Sequence, residues 1–214
     1  MLASARRPRR CAVGGVGVVT RDGGCSLLVV ISGPGGVGKD TVIEKLLARN
    51  PKLCYSVSYT TRPMRDYEVD GEHYTFVDVP AFERMVADDA FLEHARVSGN
   101  LYGTSAARVE AAQRAGYDVI LKIDVQGADQ VRNRRPDGVY MFIAPPSMDE
   151  LIRRRVERGA ESSEEIEARQ RLAEWEMSFA DRYDHIVVND EVDRAVEELE
   201  ALIELERRVR CVPG

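Results

Sequence analysis

The sequence predicts an α/β protein in which a parallel sheet is covered by helices on both faces. Short apolar runs of strand length alternate along the chain with longer stretches of helical period, and there is no internal repeat. The first such run leads through a glycine-rich loop into a helix, as in nucleotide-binding sheets. With 214 residues, of which 44% are hydrophobic, the chain can bury one sizeable core. We therefore expect one domain with inserted subdomains.

The glycine-rich loop lies in the stretch 27–41, which reads LLVVISGPGGVGKDT. Glycines let successive backbone N–H groups curl around one anion, and the following helix adds its positive end. The candidate phosphate-binding residues are Gly33, Pro34, Gly35, Gly36, Val37, Gly38, Lys39, Asp40 and Thr41. Lys39 is expected to reach the β- and γ-phosphates of a nucleotide. The pattern departs from a Walker A loop at Asp40, where Ser or Thr is usual. The alternative is a plain glycine-rich turn.

The elements after the loop follow from period and cap residues. Helices are predicted at 41–49, after Pro80, at 105–115 with Thr104 as N-cap, after Ser147, after Ser162, and from 192 to 203. Strands are predicted at 55–59, 91–97, 118–124, 139–143 and 185–190. The stretch 60–77 has no sustained period and is dense in arginine and tyrosine. We expect an inserted subdomain there.

Charge and cysteine content narrow the class of protein. The net charge is −6, which argues against a general nucleic-acid binder, and no apolar run approaches the ~20 residues of a membrane-spanning helix. Cys11, Cys25, Cys54 and Cys211 show no paired spacing. We interpret them as reduced thiols in a cytosolic protein.

Residues 1–24 are predicted to be a mobile extension, because they are rich in Arg, Gly and Pro and have no amphipathic period. An organelle-targeting segment and a mis-assigned start are the alternatives. Deleting residues 1–23 is expected to change neither the melting temperature nor the turnover, since this segment has little to bury.

A cluster of arginines from 153 to 171 lies on two predicted helices joined by a polar turn. Phosphoryl transfer depends on positioning and on neutralising charge, so such a cluster downstream of a phosphate loop suggests a mobile lid. The alternative is a solvated helix face with local ion pairs.

Residues 27–205 resemble guanylate kinase. In the stretch TTRPMRDYEVDGEHYTFV every fixed position of that family's signature is matched, by Thr60, Thr61, Arg62, Arg65, Glu68, Gly71, Tyr74 and Phe76. The blocks SGNLYGTS, IDVQGA, PPS and VVND follow in the family's order. The resemblance implies a core at 25–59 and 105–208, a GMP-binding subdomain at about 60–104 and a lid at about 153–171. The implied reaction is ATP + GMP ⇌ ADP + GDP with Mg²⁺, with GMP and ATP as the partners and neither nucleic acid nor membrane.

The resemblance also implies roles for individual residues. The GMP phosphate would be held by Arg62, Arg65, Tyr74 and Tyr102. Guanine would be faced by Ser58, Glu93 and Thr104. Lys39, with the lid arginines Arg154, Arg158 and Arg169, would act in catalysis. Asp124 would lie near the acceptor and, with Thr41, near the metal, while Asn189 would lie close to adenine.

Two residues depart from the family's pattern: Asp40, where Ser or Gly is usual, and Lys122, where an acid is frequent. Lys122 and Asp124 are two apart on one predicted strand and so leave the same face. Lys122 is therefore expected to approach and neutralise Asp40. The alternative is that Asp40 points at solvent or ligates Mg²⁺.

These departures keep two other functions open. One is a catalytically weak guanylate-kinase-like binding module, which would recognise a partner without turning over nucleotide. The other is a related P-loop kinase with another phosphorylated acceptor, which the pairing of Glu93 with Thr104 disfavours.

Overall fold

The computed structural model describes residues 10–11, 25–97, 99–156 and 163–211. The strands are β1 (Leu28–Ser32), β2 (Leu53–Tyr55), β3 (Tyr59–Thr60), β4 (Thr75–Phe76), β5 (Phe91–Val97), β6 (Asn100–Ser105), β7 (Asp118–Lys122), β8 (Val139–Ala144) and β9 (His185–Val188). The helices are α1 (Lys39–Arg49), α2 (Val79–Ala87), α3 (Ala106–Arg114), α4 (Val125–Arg134), α5 (Met148–Val156), α6 (Ser163–Met177) and α7 (Val192–Arg210), with a 3₁₀ turn at Ala180–Arg182.

The core sheet is parallel, with the strand order β2-β7-β1-β8-β9. Its central strand β1 is buried at every residue because alternate side chains enter two separate hydrophobic layers. Val29 and Ile31 face the layer that contains α1 and α7. Leu28 and Val30 face the layer that contains α3 and α4. The predicted fold class, a parallel sheet with helices on both faces, is confirmed.

A second sheet forms from the stretch predicted to be an insertion. Its order is β4-β3-β6-β5, with β6 antiparallel to both β3 and β5. Helix α2 covers it, and the rings of Phe82 and Phe91 stack at 4.6 Å. The prediction of one strand at 55–59 is wrong. The chain leaves the core sheet after Tyr55 and enters the second sheet at Tyr59, so the two ends of this stretch belong to different sheets.

The predicted N-cap of α3 is also wrong by one residue. Ser105 is the cap, and its hydroxyl accepts a hydrogen bond from the Arg108 N–H at 3.3 Å. Thr104 belongs to β6 and pairs with Glu93 of β5. Both residues are good caps, and the tertiary pairing of the strand decides between them.

The prediction that the cysteines are reduced and unpaired is wrong, because the structure has disulfides Cys11–Cys54 and Cys25–Cys211. The partners are 43 and 186 residues apart in sequence, so no local spacing could show them. Cys11 also donates its N–H to the Tyr55 carbonyl at 2.9 Å, at the edge strand β2. Arg10 and Cys11 therefore contact the core at β2.

Three sequence predictions lie wholly or partly outside the described residues: the extension 1–24 apart from Arg10 and Cys11, the lid arginine Arg158, and the helix start at Ser162. Within the described part of the chain, no helix has the length and apolar character needed to cross a membrane.

Candidate active site

The glycine loop connects β1 to α1 and packs tightly against the carboxyl end of the core sheet. Gly33 has φ +147°, and a Cβ built there would lie 2.1 Å from the Ile143 carbonyl oxygen. Gly38, the N-cap of α1, has φ +96°. A side chain at either position would push the loop off β8 or strain its backbone. The loop therefore keeps the shape that lets its amides converge at a helix N-terminus, which is an anion-binding arrangement.

Asn189 links this loop to the core sheet. It is 1% exposed, its Nδ2 donates to the Val37 carbonyl at 2.7 Å, and its own N–H donates to the Ala144 carbonyl at 2.8 Å. The structure thus places Asn189, expected near adenine, between the end of β9 and the loop. In this position it fixes the loop to the sheet.

Lys39 and Glu176 occupy the inner face of the loop. The Lys39 ammonium donates to the carbonyls of Gly33 at 2.5 Å and Pro34 at 3.1 Å. The Glu176 carboxylate, on α6, accepts from the Gly35 N–H at 3.1 Å. Sequence reasoning missed Glu176, because α6 carries several glutamates and nothing local separates the one that faces the loop from those that face solvent.

A second cluster gathers the residues expected to hold the acceptor phosphate. Arg62 donates to the Glu68 carboxylate at 2.6 Å and lies 5.5 Å from the centre of the Tyr74 ring. The Tyr74 and Tyr102 rings meet edge to face at 5.7 Å. Arg65 is exposed, and its guanidinium donates to the Tyr67 hydroxyl at 2.6 Å. The structure therefore brings Arg62, Tyr74 and Tyr102 together and leaves the Arg65 side chain at the rim.

Glu68 organises this cluster. Its carboxylate accepts from the Arg62 guanidinium and, at 2.8 Å, from the Arg65 backbone N–H. The hydrogen bond from Arg62 lowers the pKa of Glu68 to about 2. The family signature includes Glu68 but assigns it no role. In the structure, Glu68 holds the Arg62 side chain and the Arg65 backbone in place.

Glu93 and Thr104 face each other across the strand pair β5 and β6. The Thr104 hydroxyl donates to the Glu93 carboxylate at 2.6 Å, and Glu93 is 5% exposed. Burial raises the pKa of Glu93 to about 7, with the nearby Asp124 carboxylate adding to the effect and the Thr104 hydrogen bond opposing it. A carboxyl group at this pKa can accept from base donors when ionised.

Asp124 follows β7 and caps α4, with its carboxylate accepting from the Gly127 N–H at 2.7 Å. The strand predicted to end at this acid ends at Lys122, and Asp124 lies at the start of the helix. Its carboxylate faces the same cavity as Glu93.

The expected approach of Lys122 to Asp40 is confirmed. The Lys122 ammonium and the Asp40 carboxylate are in direct contact. Asp40 lies in the first turn of α1, and its side chain is 77% exposed, so the pair stands at the open mouth of the phosphate loop.

Of the arginines expected in the lid, Arg154 is held by the protein. Its guanidinium donates to the Glu150 carboxylate at 2.7 Å and to the carbonyls of Asn189 at 2.9 Å and Asp190 at 3.1 Å. Arg169 is exposed on α6. Arg154 must break these hydrogen bonds before it can bind a phosphate.

One cavity of about 320 Å³ joins the phosphate loop to the second sheet. Its lining includes Gly33, Lys39, Ser58, Tyr74, Glu93, Tyr102, Lys122, Asp124 and Glu176. Residues separated by most of the chain length thus meet in one cleft, with the loop at one end and the buried Glu93–Thr104 pair at the other.

Comparison with known proteins agrees with this geometry. The guanylate kinase family model matches residues 26–206. The chain belongs to the guanylate kinase family. It is 49% identical over 181 residues to a guanylate kinase of Syntrophomonas wolfei, covering 85% of this chain and 93% of that protein. It is 50% identical over 181 residues to one of Thermus thermophilus, covering 85% and 82%.

The crystal structure of a guanylate kinase from Anaplasma phagocytophilum shares the fold, with a TM-score of 0.71 and 33% identity over 86% of this chain and 87% of that one. The resemblance read from the sequence is therefore confirmed. The family assignment favours a nucleotide kinase site in the cavity, with a donor end at the glycine loop and an acceptor end at the second sheet.

Proposed function

We propose that this guanylate kinase transfers the γ-phosphoryl group of ATP to GMP, giving ADP and GDP. The observation that carries the proposal is the single cavity that Lys39 of the phosphate loop shares with the buried Glu93. Phosphoryl transfer needs donor and acceptor in line within one cleft, and little covalent chemistry from the protein.

At the acceptor end, Glu93 recognises guanine. An ionised carboxylate accepts hydrogen bonds from both N1–H and the 2-amino group, which adenine does not offer in that arrangement. Thr104 orients the carboxylate through its 2.6 Å hydrogen bond, and Ser58 lines the same end of the cavity. A base without these donors would leave a buried acceptor unpaired, which is a strong basis for rejection.

The GMP phosphate binds at the cluster of Arg62, Tyr74 and Tyr102, with Arg65 reaching in from the rim. Arg62 offers a planar guanidinium suited to bidentate contact, and the tyrosine hydroxyls add neutral donors. Glu68 holds Arg62 in place through a 2.6 Å contact. The arrangement positions one phosphate oxygen for attack on the γ-phosphorus of ATP.

At the donor end, the loop amides bind the ATP phosphates and Lys39 leaves its present contacts with the Gly33 and Pro34 carbonyls to neutralise them. Arg154, Arg158 and Arg169 close over the transferred group and spread its charge. The attacking oxygen of GMP forms the new P–O bond as the bond to the β-phosphate oxygen of the departing ADP breaks.

The residues present fit Mg²⁺ held mainly by the substrates. Thr41 and Asp124 offer a hydroxyl and a carboxylate, the hard oxygen ligands that Mg²⁺ prefers. Among the described residues, no group of three or more His, Cys, Asp or Glu could hold a metal ion. When bound, Mg²⁺ would neutralise the negative charge of the phosphates during transfer.

A coupled assay of ADP formation with GMP, dGMP, AMP and CMP tests the proposal. GMP should be the preferred acceptor, and Lys39→Ala should lower kcat by about 100-fold or more, the typical cost of losing one charge-stabilising group. Lys45→Ala is the matched control, because Lys45 lies on the same helix and pairs with Asp193 on the surface at 3.0 Å. Undiminished turnover in Lys39→Ala, or equal use of GMP and AMP, would contradict the proposal.

We also infer that the protein acts in the cytoplasm on free GMP and ATP, without nucleic acid or membrane. The support is its small-molecule chemistry, which draws on the cellular nucleotide pool. Fractionation of the source cells, with the protein found in the membrane or exported fraction, would contradict it. Disulfides are rare in reducing compartments, so the two bonds in this structure favour the opposite result. The fractionation decides between the two locations.

A further inference from the structure

Lys122 is a cation at the junction of the two ends of the cavity, and none of the roles derived above uses it for substrate. It ends strand β7 and lines the cavity together with Tyr55, Tyr74 and Lys39. Its ammonium lies 6.0 Å from the centre of the Tyr55 ring. Its side chain is 24% exposed, so most of its stem is covered while its charged end reaches the cavity.

The contact with Asp40 is an ion pair between an ammonium and a carboxylate. An ammonium beside a cavity built for phosphates thus has a carboxylate as its counter-ion.

The two partners differ in their surroundings. Asp40 is 77% exposed, whereas Lys122 is largely covered. Exposed ion pairs contribute little, because water competes for the charges. A phosphate dianion in the cavity would carry more charge than Asp40, and Tyr74, one of the residues proposed to hold that phosphate, lines the cavity together with Lys122. Exchanging the Asp40 carboxylate for the phosphate therefore costs little free energy and keeps the charge of Lys122 neutralised.

We propose that Lys122 binds the phosphate of GMP, and that Asp40 is the counter-ion that holds Lys122 when the site is empty. The inference rests on the proposed function, because it needs a phosphate monoester at the acceptor end. It adds a cation at a position where the family's pattern often has an acid, and it gives the unusual residue of the phosphate loop a purpose.

The test compares the binding of GMP with that of guanosine, which lacks the phosphate, by titration calorimetry. Lys122→Met should weaken GMP binding by about tenfold or more, as expected for the loss of a charge-assisted hydrogen bond, and leave guanosine binding within about twofold. Asp40→Ser should tighten GMP binding by about two- to fivefold, since the phosphate no longer competes with an exposed ion pair. Guanosine binding should again be unchanged.

Lys45→Met and Asp193→Ser are the matched controls, because these residues form a surface pair between α1 and α7. Neither should alter GMP binding. Should Lys122→Met fail to fold with Asp40 left unpaired, the double variant Asp40→Ser/Lys122→Met leaves no unpaired charge and serves for the same comparison. It should bind GMP more weakly than Asp40→Ser does.

Unchanged GMP binding in Lys122→Met, or equal losses for GMP and guanosine, would overturn the role of Lys122. Weaker or unchanged GMP binding in Asp40→Ser would overturn the counter-ion role. These results are separable from the proposed function, which is read from GDP formation by the unmodified protein. A protein that binds GMP as described and forms no GDP would refute the proposed reaction alone.

Discussion

Replacing Glu93 by Gln should change how both stability and GMP binding depend on pH. Burial raises the pKa of Glu93 from 4.5 to about 7 in the folded protein. Between these values the folded state holds a proton that the unfolded chain has lost, so stability falls as pH rises through this window. The loss amounts to about 3 kcal/mol, is complete near pH 8, and is absent in Glu93→Gln.

Guanine binding needs the ionised form and therefore has the opposite dependence. With a pKa near 7, about nine in ten Glu93 side chains are ionised at pH 8 and about one in ten at pH 6. The affinity of the wild type for guanosine should thus be about tenfold weaker at pH 6 than at pH 8. Guanosine is the better ligand here, because the phosphate of GMP titrates in the same range.

The assay is denaturant unfolding of the empty protein from pH 5 to pH 8, with calorimetric titration of guanosine at pH 6 and pH 8. Glu93→Gln should be the more stable protein at pH 8 and should bind guanosine weakly at both pH values. A difference in stability between the two proteins that stays constant over this range would refute the reasoning. So would undiminished discrimination between GMP and AMP in Glu93→Gln.

Three further predictions follow from other contacts. Glu68→Gln should raise the KM for GMP with little change in the KM for ATP, because it weakens the 2.6 Å contact that orients Arg62; equal changes in both would contradict this role. Gly33→Ala should abolish ATP binding, since its Cβ would clash at 2.1 Å with the Ile143 carbonyl, whereas Gly71→Ala, with φ +76° and open space around its Cβ, should keep it. Deleting residues 1–23 should lower the melting temperature, because Cys11 is 5% exposed and bonded to Cys54. A typical disulfide contributes about 2–4 kcal/mol to the free energy of unfolding. An unchanged melting temperature, with or without dithiothreitol, would contradict this prediction.

The phosphate loop could be predicted because its function depends on local backbone geometry. Gly33 and Gly38 are needed where φ is positive, and Lys39 follows at the start of the helix, so the requirement is written in consecutive residues. Strand β8 and helix α7 were predictable for a similar reason, since each buries residues whose pattern is visible in the sequence.

The pair of Asp40 and Lys122 shows how far a sequence argument can reach. Two departures from a family's pattern, placed on elements that meet at one edge of a sheet, predicted a contact that the structure contains. The prediction succeeded because charge compensation and strand alternation are both simple constraints. The purpose of the pair emerged only from its place in the cavity.

Other features depended on which distant residues the fold brings together. Glu176 reaches the loop from α6, Asn189 lies beneath it, and Cys11 pairs with Cys54 across the edge of the sheet. The pKa of Glu93 likewise depends on the strand pairing that buries it beside Thr104 and Asp124. The sequence by itself determined the family, the sheet and the loop, because those are set by local periodicity and spacing. Only the tertiary structure decided these long-range contacts, because burial and proximity are properties of the packed chain rather than of any segment in it.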